Sequence, residues 1–252
     1  MNSSGGVPAP HTLRDYALLA DGERGALVGP RGDIVWMCAP AWDSDAVFTA
    51  LIGGPGWYTV TPAEPFVHGG YYEQGGLIWR SRWITTGGIV ECREALALPG
   101  DPHRVTVLRR VMAVDGDARV GVRLYPAAGF GRRPLSEPHR DEEGRWTGRA
   151  GELYVRFTGA PGAEPAGPDH PGLHAELRLA AGTQDPDAAP RSAFDRRKRQ
   201  RNSPPVAAEG VRCRPGPAGR SGRGRSPPSV KRRTPTVSAG TWCPPRGWST
   251  IR

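Results

Sequence analysis

The sequence predicts an all-β protein, an antiparallel two-sheet β-sandwich followed by a disordered basic tail. Three observations predict it. Short apolar and β-branched runs alternate with period two and are separated by Gly, Pro and Asp turn signals. At least eight such runs occur with a single short helix candidate, a proportion that suits two packed sheets. After about residue 182 the apolar content collapses and the charge changes sign, so the sandwich ends there.

Residues 1–11 read as a flexible N-terminus without the basic and apolar regions of a secretory signal. The folded domain is expected over residues 12–182. Runs at 26–28 and 34–38 flank Gly29-Pro30-Arg31-Gly32, a turn signal. Residues 45–52 form the one helix candidate, barely two turns long, with Asp43 or Ser44 placed to cap it. Residues 56–61 are rich in aromatic and β-branched types and read as a strand. Residues 77–85 put Leu77, Trp79 and Trp83 on one face and Arg80 and Arg82 on the other; Thr86-Gly87-Gly88 then turns the chain into 89–96, a hairpin pattern. A second hairpin is predicted from 104–114 and 118–125 around Asp115-Gly116-Asp117, because Asp-Gly tolerates the positive φ of tight turns. Val105, Val107 and Val111 share a face, as do Val120, Val122 and Leu124. Residues 152–158 and 173–179 add two strands. Trp36, Trp79, Trp83, Phe157 and the strand valines are the expected core.

The tail, residues 183–252, differs in kind. Residues 1–190 carry 18 Lys+Arg against 23 Asp+Glu, a net charge of −5, whereas residues 191–252 carry 16 against 2, a net +14. Beyond Pro190 there are nine prolines and no leucine or tyrosine, too little apolar surface to offset chain entropy. The clusters at 196–199 and 231–233 have the composition of nucleic-acid patches. Arg, Pro, Gly and Ser are also what GC-rich coding DNA yields out of frame, and the tail is read that way, with nucleic acid not expected as a partner. No run of 18 apolar residues suggests a membrane span. Cys38 and Cys92 belong to no C-x-x-C pair and read as buried free thiols, which fits a reducing cytoplasm.

The blocks Asp15-Tyr16-Ala17-Leu18-Leu19-Ala20-Asp21-Gly22, Ala26-Leu27-Val28-Gly29, Arg31-Gly32-Asp33-Ile34-Val35-Trp36-Met37-Cys38 and Pro40-Ala41-Trp42-Asp43-Ser44-Asp45-Ala46-Val47-Phe48 carry a resemblance. With the later segments 56–62 and 79–94, they resemble the N-terminal domain of bacterial glycoside hydrolase family 15, the trehalase- and glucoamylase-like proteins. Val35 stands where that family has Asp, and Asp45 where it has Pro. The resemblance implies a supersandwich-like domain that leans on an (α/α)6 barrel. That barrel would carry the two carboxylates of an inverting hydrolysis of α-glucosidic bonds, in trehalose or short α-glucans. A chain that degenerates near residue 185 leaves no room for it, so a truncated, inactive hydrolase is expected, with no catalytic residue, metal ligand or cofactor of its own. Its partner would be the barrel of the intact protein, and its ligand an α-glucoside or trehalose.

By the same resemblance, Trp42 and Asp43 would lie in a loop edging the sugar cleft. Trp57 is the further candidate, since an aromatic face can stack on the apolar face of a sugar. The run Asp141-Glu142-Glu143 reads as a solvated loop rather than a pair of catalytic acids. Two rival functions remain: a stand-alone carbohydrate-binding sandwich, and nucleic-acid binding through the basic tail.

Overall fold

The computed structural model describes residues 6–98, 100–167, 171–182 and 191–195. The chain divides into two units, Met1–Asn202 and Ser203–Arg252, and every described residue belongs to the first. The disorder expected of residues 183–252 concerns residues outside those described, apart from 191–195.

The strands are β1 (Ala17–Ala20), β2 (Gly25–Val28), β3 (Asp33–Cys38), β4 (Ala46–Phe48), β5 (Trp57–Pro62), β6 (Phe66–Tyr72), β7 (Trp79–Thr85), β8 (Ile89–Leu96) and β9 (Arg104–Asp115). They continue with β10 (Ala118–Tyr125), β11 (Ala127–Ala128), β12 (Arg133–Arg140), β13 (Trp146–Ala150), β14 (Leu153–Thr158), β15 (Glu164–Pro165), β16 (Leu173–Leu179) and β17 (Arg191–Asp195). Two antiparallel sheets result. The first runs β1-β2-β3-β5-β10-β16-β15, with β4 added on β3; the second runs β11-β12-β13-β14-β17-β9-β8-β7-β6. Their inner faces share one core, to which Val28, Ile34, Val60 and Val122 come from the first sheet and Trp83, Val90, Val107 and Phe157 from the second. Period-two alternation produces it: β16 alternates strictly between buried and exposed residues, as a strand with one wet face must.

The hairpin at 77–96 forms as its pattern predicts, with β7 and β8 in register from Trp79↔Glu94 to Ile84↔Ile89. The second hairpin does not. Gly116 takes the positive φ its turn needs, at 66°, but β9 pairs with β8 and β17 while β10 pairs with β5 and β16. The Asp-Gly turn therefore carries the chain from one sheet to the other. Both valine faces point into the same core from opposite sides, and alternation is blind to that difference.

Residues 45–52 are not a helix. Ala46–Phe48 pairs with β3 through Met37↔Phe48 and Cys38↔Ala46, leaving one 3-10 turn at Ala50–Ile52. Two turns of helix do not sustain themselves, and a strand partner lay beside them. Asp43 and Ser44 consequently cap no helix; the Ser44 hydroxyl accepts from the Ala41 N–H at 3.2 Å instead.

The sandwich also runs past residue 182. Strand β17 inserts between β14 and β9 and buries Phe194, whose ring meets Phe48 edge-on at 5.8 Å. Trp36 is corrected too: it is half-buried and packs towards Phe130 at 6.4 Å, outside the inter-sheet core. Trp83 and Phe157 lie in that core as expected, and Trp79 packs against it.

The core contains a charge. Arg109 and Glu94 are both fully buried and bonded to each other, with Arg109 Nε to Glu94 Oε1 at 2.9 Å. From β9 the guanidinium also crosses to the first sheet, donating to the carbonyls of Tyr58 at 3.1 Å and Gly32 at 2.6 Å. Glu94 accepts in addition from Ser81 Oγ at 2.9 Å. Burial works against the charge on Arg109, but the facing Glu94 outweighs it and holds the guanidinium protonated.

Candidate functional site

Sheet β-sandwiches carry their functional residues on loops and on any face that alternation leaves apolar. The first sheet has such a face. Strands β2, β3 and β5 bury residues on both sides, and a second cluster of Val35, Ala50, Trp57 and Tyr125 lies apart from the main core. The 3-10 turn supplies Ala50 and Leu51 to it.

The loop between β3 and β4 holds two of the three expected site residues. Its base is fixed by Arg24, fully buried, whose Nε donates to the Pro40 carbonyl at 3.0 Å and whose Nη1 donates to the Asp101 carbonyl at 2.9 Å. Its tip is a turn in which the Ser44 N–H bonds the Ala41 carbonyl at 3.2 Å. On this tip Trp42 is 50% exposed and Asp43 is exposed. The Trp42 ring lies directly over Gly25 of β2: a Cβ at that position would sit 2.0 Å from the indole, so only glycine admits it. Asp43 and Asp45 also bear on Cys38. Burial chiefly, then these carboxylates, push its thiol up and keep it un-ionised. Cys38 and Cys92 are both free and buried, as the sequence suggested.

Trp57 is placed differently. It is 2% exposed, and its ring packs on Tyr125 with centroids 4.5 Å apart and planes inclined at 34°. The pair lines a hollow of about 180 Å³ whose other walls include Pro55, Pro126, Pro134 and Pro171. Sequence reading did not find Tyr125, the proline walls or the adjoining Gly129-Phe130-Gly131 turn. The signal for the last was present, an aromatic residue between two glycines.

A larger hollow of about 390 Å³ lies over the loop joining β12 and β13. It is no acid–base site. Asp141 Oδ1 accepts from the Glu143 and Arg145 N–H groups at 3.1 and 2.8 Å, and Oδ2 takes Arg145 Nε at 2.7 Å. The side-chain bond to Arg145 above all holds this carboxyl below its usual range, in keeping with a solvated turn. Among the described residues, no three His, Cys, Asp or Glu side chains converge as a metal site would require, and no helix is long and apolar enough to cross a membrane.

Residues 6–163 match the family described as trehalase-like, N-terminal. A trehalase of Mycobacterium tuberculosis is 27% identical over 199 residues, covering 71% of this chain and 28% of that protein. A trehalase of Mycolicibacterium smegmatis is 29% identical over 139 residues, covering 48% of this chain and 21% of that protein. The chain thus spans about a quarter of the length of the curated relatives it matches.

Proposed function

Since this chain belongs to the trehalase-like N-terminal domain family, we propose that it is the non-catalytic sandwich of a glycoside hydrolase of family 15 type. The whole enzyme would hydrolyse α-glucosidic bonds in trehalose or short α-glucans. The match over residues 6–163, with similarity to two trehalases, is the observation that carries this reading. An inverting hydrolysis needs a protonated acid and a free carboxylate facing each other across the sugar, about 6.5–9.5 Å apart. Several acids here are otherwise engaged. Glu94 serves Arg109, Glu91 bridges Arg80 and Arg82, and Glu73 bridges Arg80 and Arg93. The catalytic carboxylates are therefore assigned to an (α/α)6 barrel that works with this sandwich, and Trp42 and Asp43 to the rim of its sugar cleft. Trp57, buried with its ring against Tyr125, is assigned to packing beneath that rim and not to stacking on the sugar. The free thiols suit a cytoplasmic setting.

The test is direct. The purified chain, given trehalose or maltose, should release no glucose above the buffer rate; sustained turnover would overturn the assignment. A second reading, a carbohydrate-binding module acting alone, is favoured by the exposed Trp42 ring on Gly25. Titration with trehalose, maltose and maltotriose, followed by tryptophan fluorescence, separates the two. A saturable change that Trp42→Ala removes supports the module, and silence supports the structural role.

A further inference from the structure

A sheet edge presents unpaired N–H and C=O groups, and folded proteins blunt it with short strands, prolines, charges or bulges. Three of the four ends of the two sheets are blunted in these ways. Strand β15 is two residues long, and one of them is Pro165. Strand β11 is also two residues long, and the part of β12 beyond it is broken by a register shift between Ser136 and His139 and by Pro138. Strand β1 has four residues, and the Tyr72 hydroxyl closes its edge, accepting from the Leu18 N–H at 2.7 Å and donating to the Leu18 carbonyl at 3.1 Å.

Strand β6 is the exception. Its seven residues hold no proline and no Lys, Arg, Asp or Glu, and they pair with β7 without a register shift. Just beyond it the Glu73 N–H bonds the Ile78 carbonyl at 2.9 Å, which sets the phase of the ladder. Val67, Gly69 and Tyr71 therefore turn their backbone groups to β7, and Phe66, His68, Gly70 and Tyr72 turn theirs outward. Among the described residues no hydrogen bond reaches those outward groups. The side chains alternate as well. The Phe66 and Tyr72 rings meet Trp83 and Trp79 on the inner side. Val67 and Tyr71 stand on the outer face, 70% and 47% exposed, with Ile84 across from Val67 and exposed too.

The strand is complementary to itself. Two copies laid antiparallel about Gly69 set Phe66 against Tyr72 and His68 against Gly70, so every outward N–H and carbonyl meets a partner. The same register sets Val67 against Tyr71 and covers the apolar residues of this edge. Gly69 then meets its own copy on the two-fold axis, at a non-hydrogen-bonded position, where antiparallel strands approach most closely. Nothing within its own sheet calls for glycine there: its φ lies outside the left-handed region, and an added Cβ would meet nothing within 4 Å. A glycine inside a strand marks the close approach of another backbone.

We propose that β6 is a self-association edge, through which two copies of the chain pair antiparallel about Gly69 and join their second sheets into one. A seven-residue strand covers less than the roughly 800 Å² per partner of a stable interface. The dimer is accordingly weak, with a dissociation constant on the order of 10–100 μM.

Sedimentation velocity of the 252-residue chain, in about 0.3 M salt to screen the basic tail, should show a concentration-dependent monomer–dimer equilibrium. Gly69→Lys places two like charges on the axis and should weaken dimerisation about ten-fold or more while leaving the sheet signal unchanged. Cross-linking reads the register. In a Cys213→Ser, Cys243→Ser background, with Cys38 and Cys92 buried, mild oxidation should link Gly69→Cys to its own copy. Val67→Cys should stay unlinked, because its two copies lie about 13 Å apart along the strands. A wild-type chain that stays monomeric up to about 1 mM would overturn the proposal and leave the edge to a strand of another protein. Self-association that Gly69→Lys leaves intact, or equal cross-linking of the two cysteine variants, would overturn it as well. None of these results touches the function proposed above.

Discussion

Arg109 occupies an inward position of β9, between Val107 and Val111, where the alternation calls for an apolar residue. Its charge is tolerated because Glu94, two backbone carbonyls and the face of the Tyr58 ring, 4.5 Å away, together replace water. The group joins the two sheets through hydrogen bonds, which fix geometry more sharply than apolar contact does. Replacing it with methionine would leave the Glu94 carboxylate buried without its counter-charge and would take one donor from each of the Tyr58 and Gly32 carbonyls. Arg109→Met should therefore cost about 3–5 kcal/mol, read from the midpoint of urea unfolding at constant m-value. The sequence marks Val105, Val107 and Val111 as one face but is silent about Arg109, because an arginine in an alternating run reads as outward. Only its partners on β8 and in the first sheet show otherwise. The opposite case is Trp36, which reads as core for its size and sits instead on the outer side near Phe130.

At the scale of elements, β17 has the largest effect on the architecture for its length. It pairs with β14 on one side and β9 on the other, joining two halves of the second sheet that touch through it in the strand order. A chain ended after residue 195 should keep a cooperative unfolding transition, whereas one ended after residue 190 should lose it, as followed by circular dichroism. Phe194→Ala, removing a buried ring from the contact with Phe48, should cost about 3–5 kcal/mol. Glu73, just beyond β6, ties that edge to Arg93 of β8 and Arg80 of β7. The hydrogen bond from Arg93, then the one from Arg80, hold its carboxyl below the ordinary value. A depressed carboxylate pKa means that the unfolded chain binds its proton first on acidification. The stabilisation is then complete above pH 4.5 and is lost as pH falls through the folded-state value. Glu73→Gln should lower the unfolding temperature near neutrality and flatten its fall as the pH drops below 4.5. Elements with strong alternation, such as β7, β8 and β16, were legible in the sequence. Strand β17 was not, since five residues beside an Arg/Pro-rich stretch carry too little pattern to separate strand from tail.

At the scale of the whole sandwich, Trp42 and Ile52 on the turns after β3 and β4, and Phe130 on the turn after β11, are large apolar residues left exposed. Apolar surface of this kind is the usual mark of a docking face. The native chain should accordingly bind a dye such as anilinonaphthalene sulfonate before it unfolds, and the double variant Trp42→Ala, Phe130→Gly should bind less while keeping its sheet signal. Enhanced fluorescence confined to the unfolding transition would count against that face. Composition and period-two alternation were enough to determine the all-β class, most strand positions and the first hairpin, because each depends on neighbours a few residues apart; the family resemblance came from the sequence blocks between Asp15 and Phe48. Which sheet each strand joins, the crossing of β9 to β10, the buried Arg109–Glu94 pair and the Phe130 turn were decided by tertiary structure alone. Each depends on which distant residue lies opposite, and a side-chain alternation is the same whatever stands across the core.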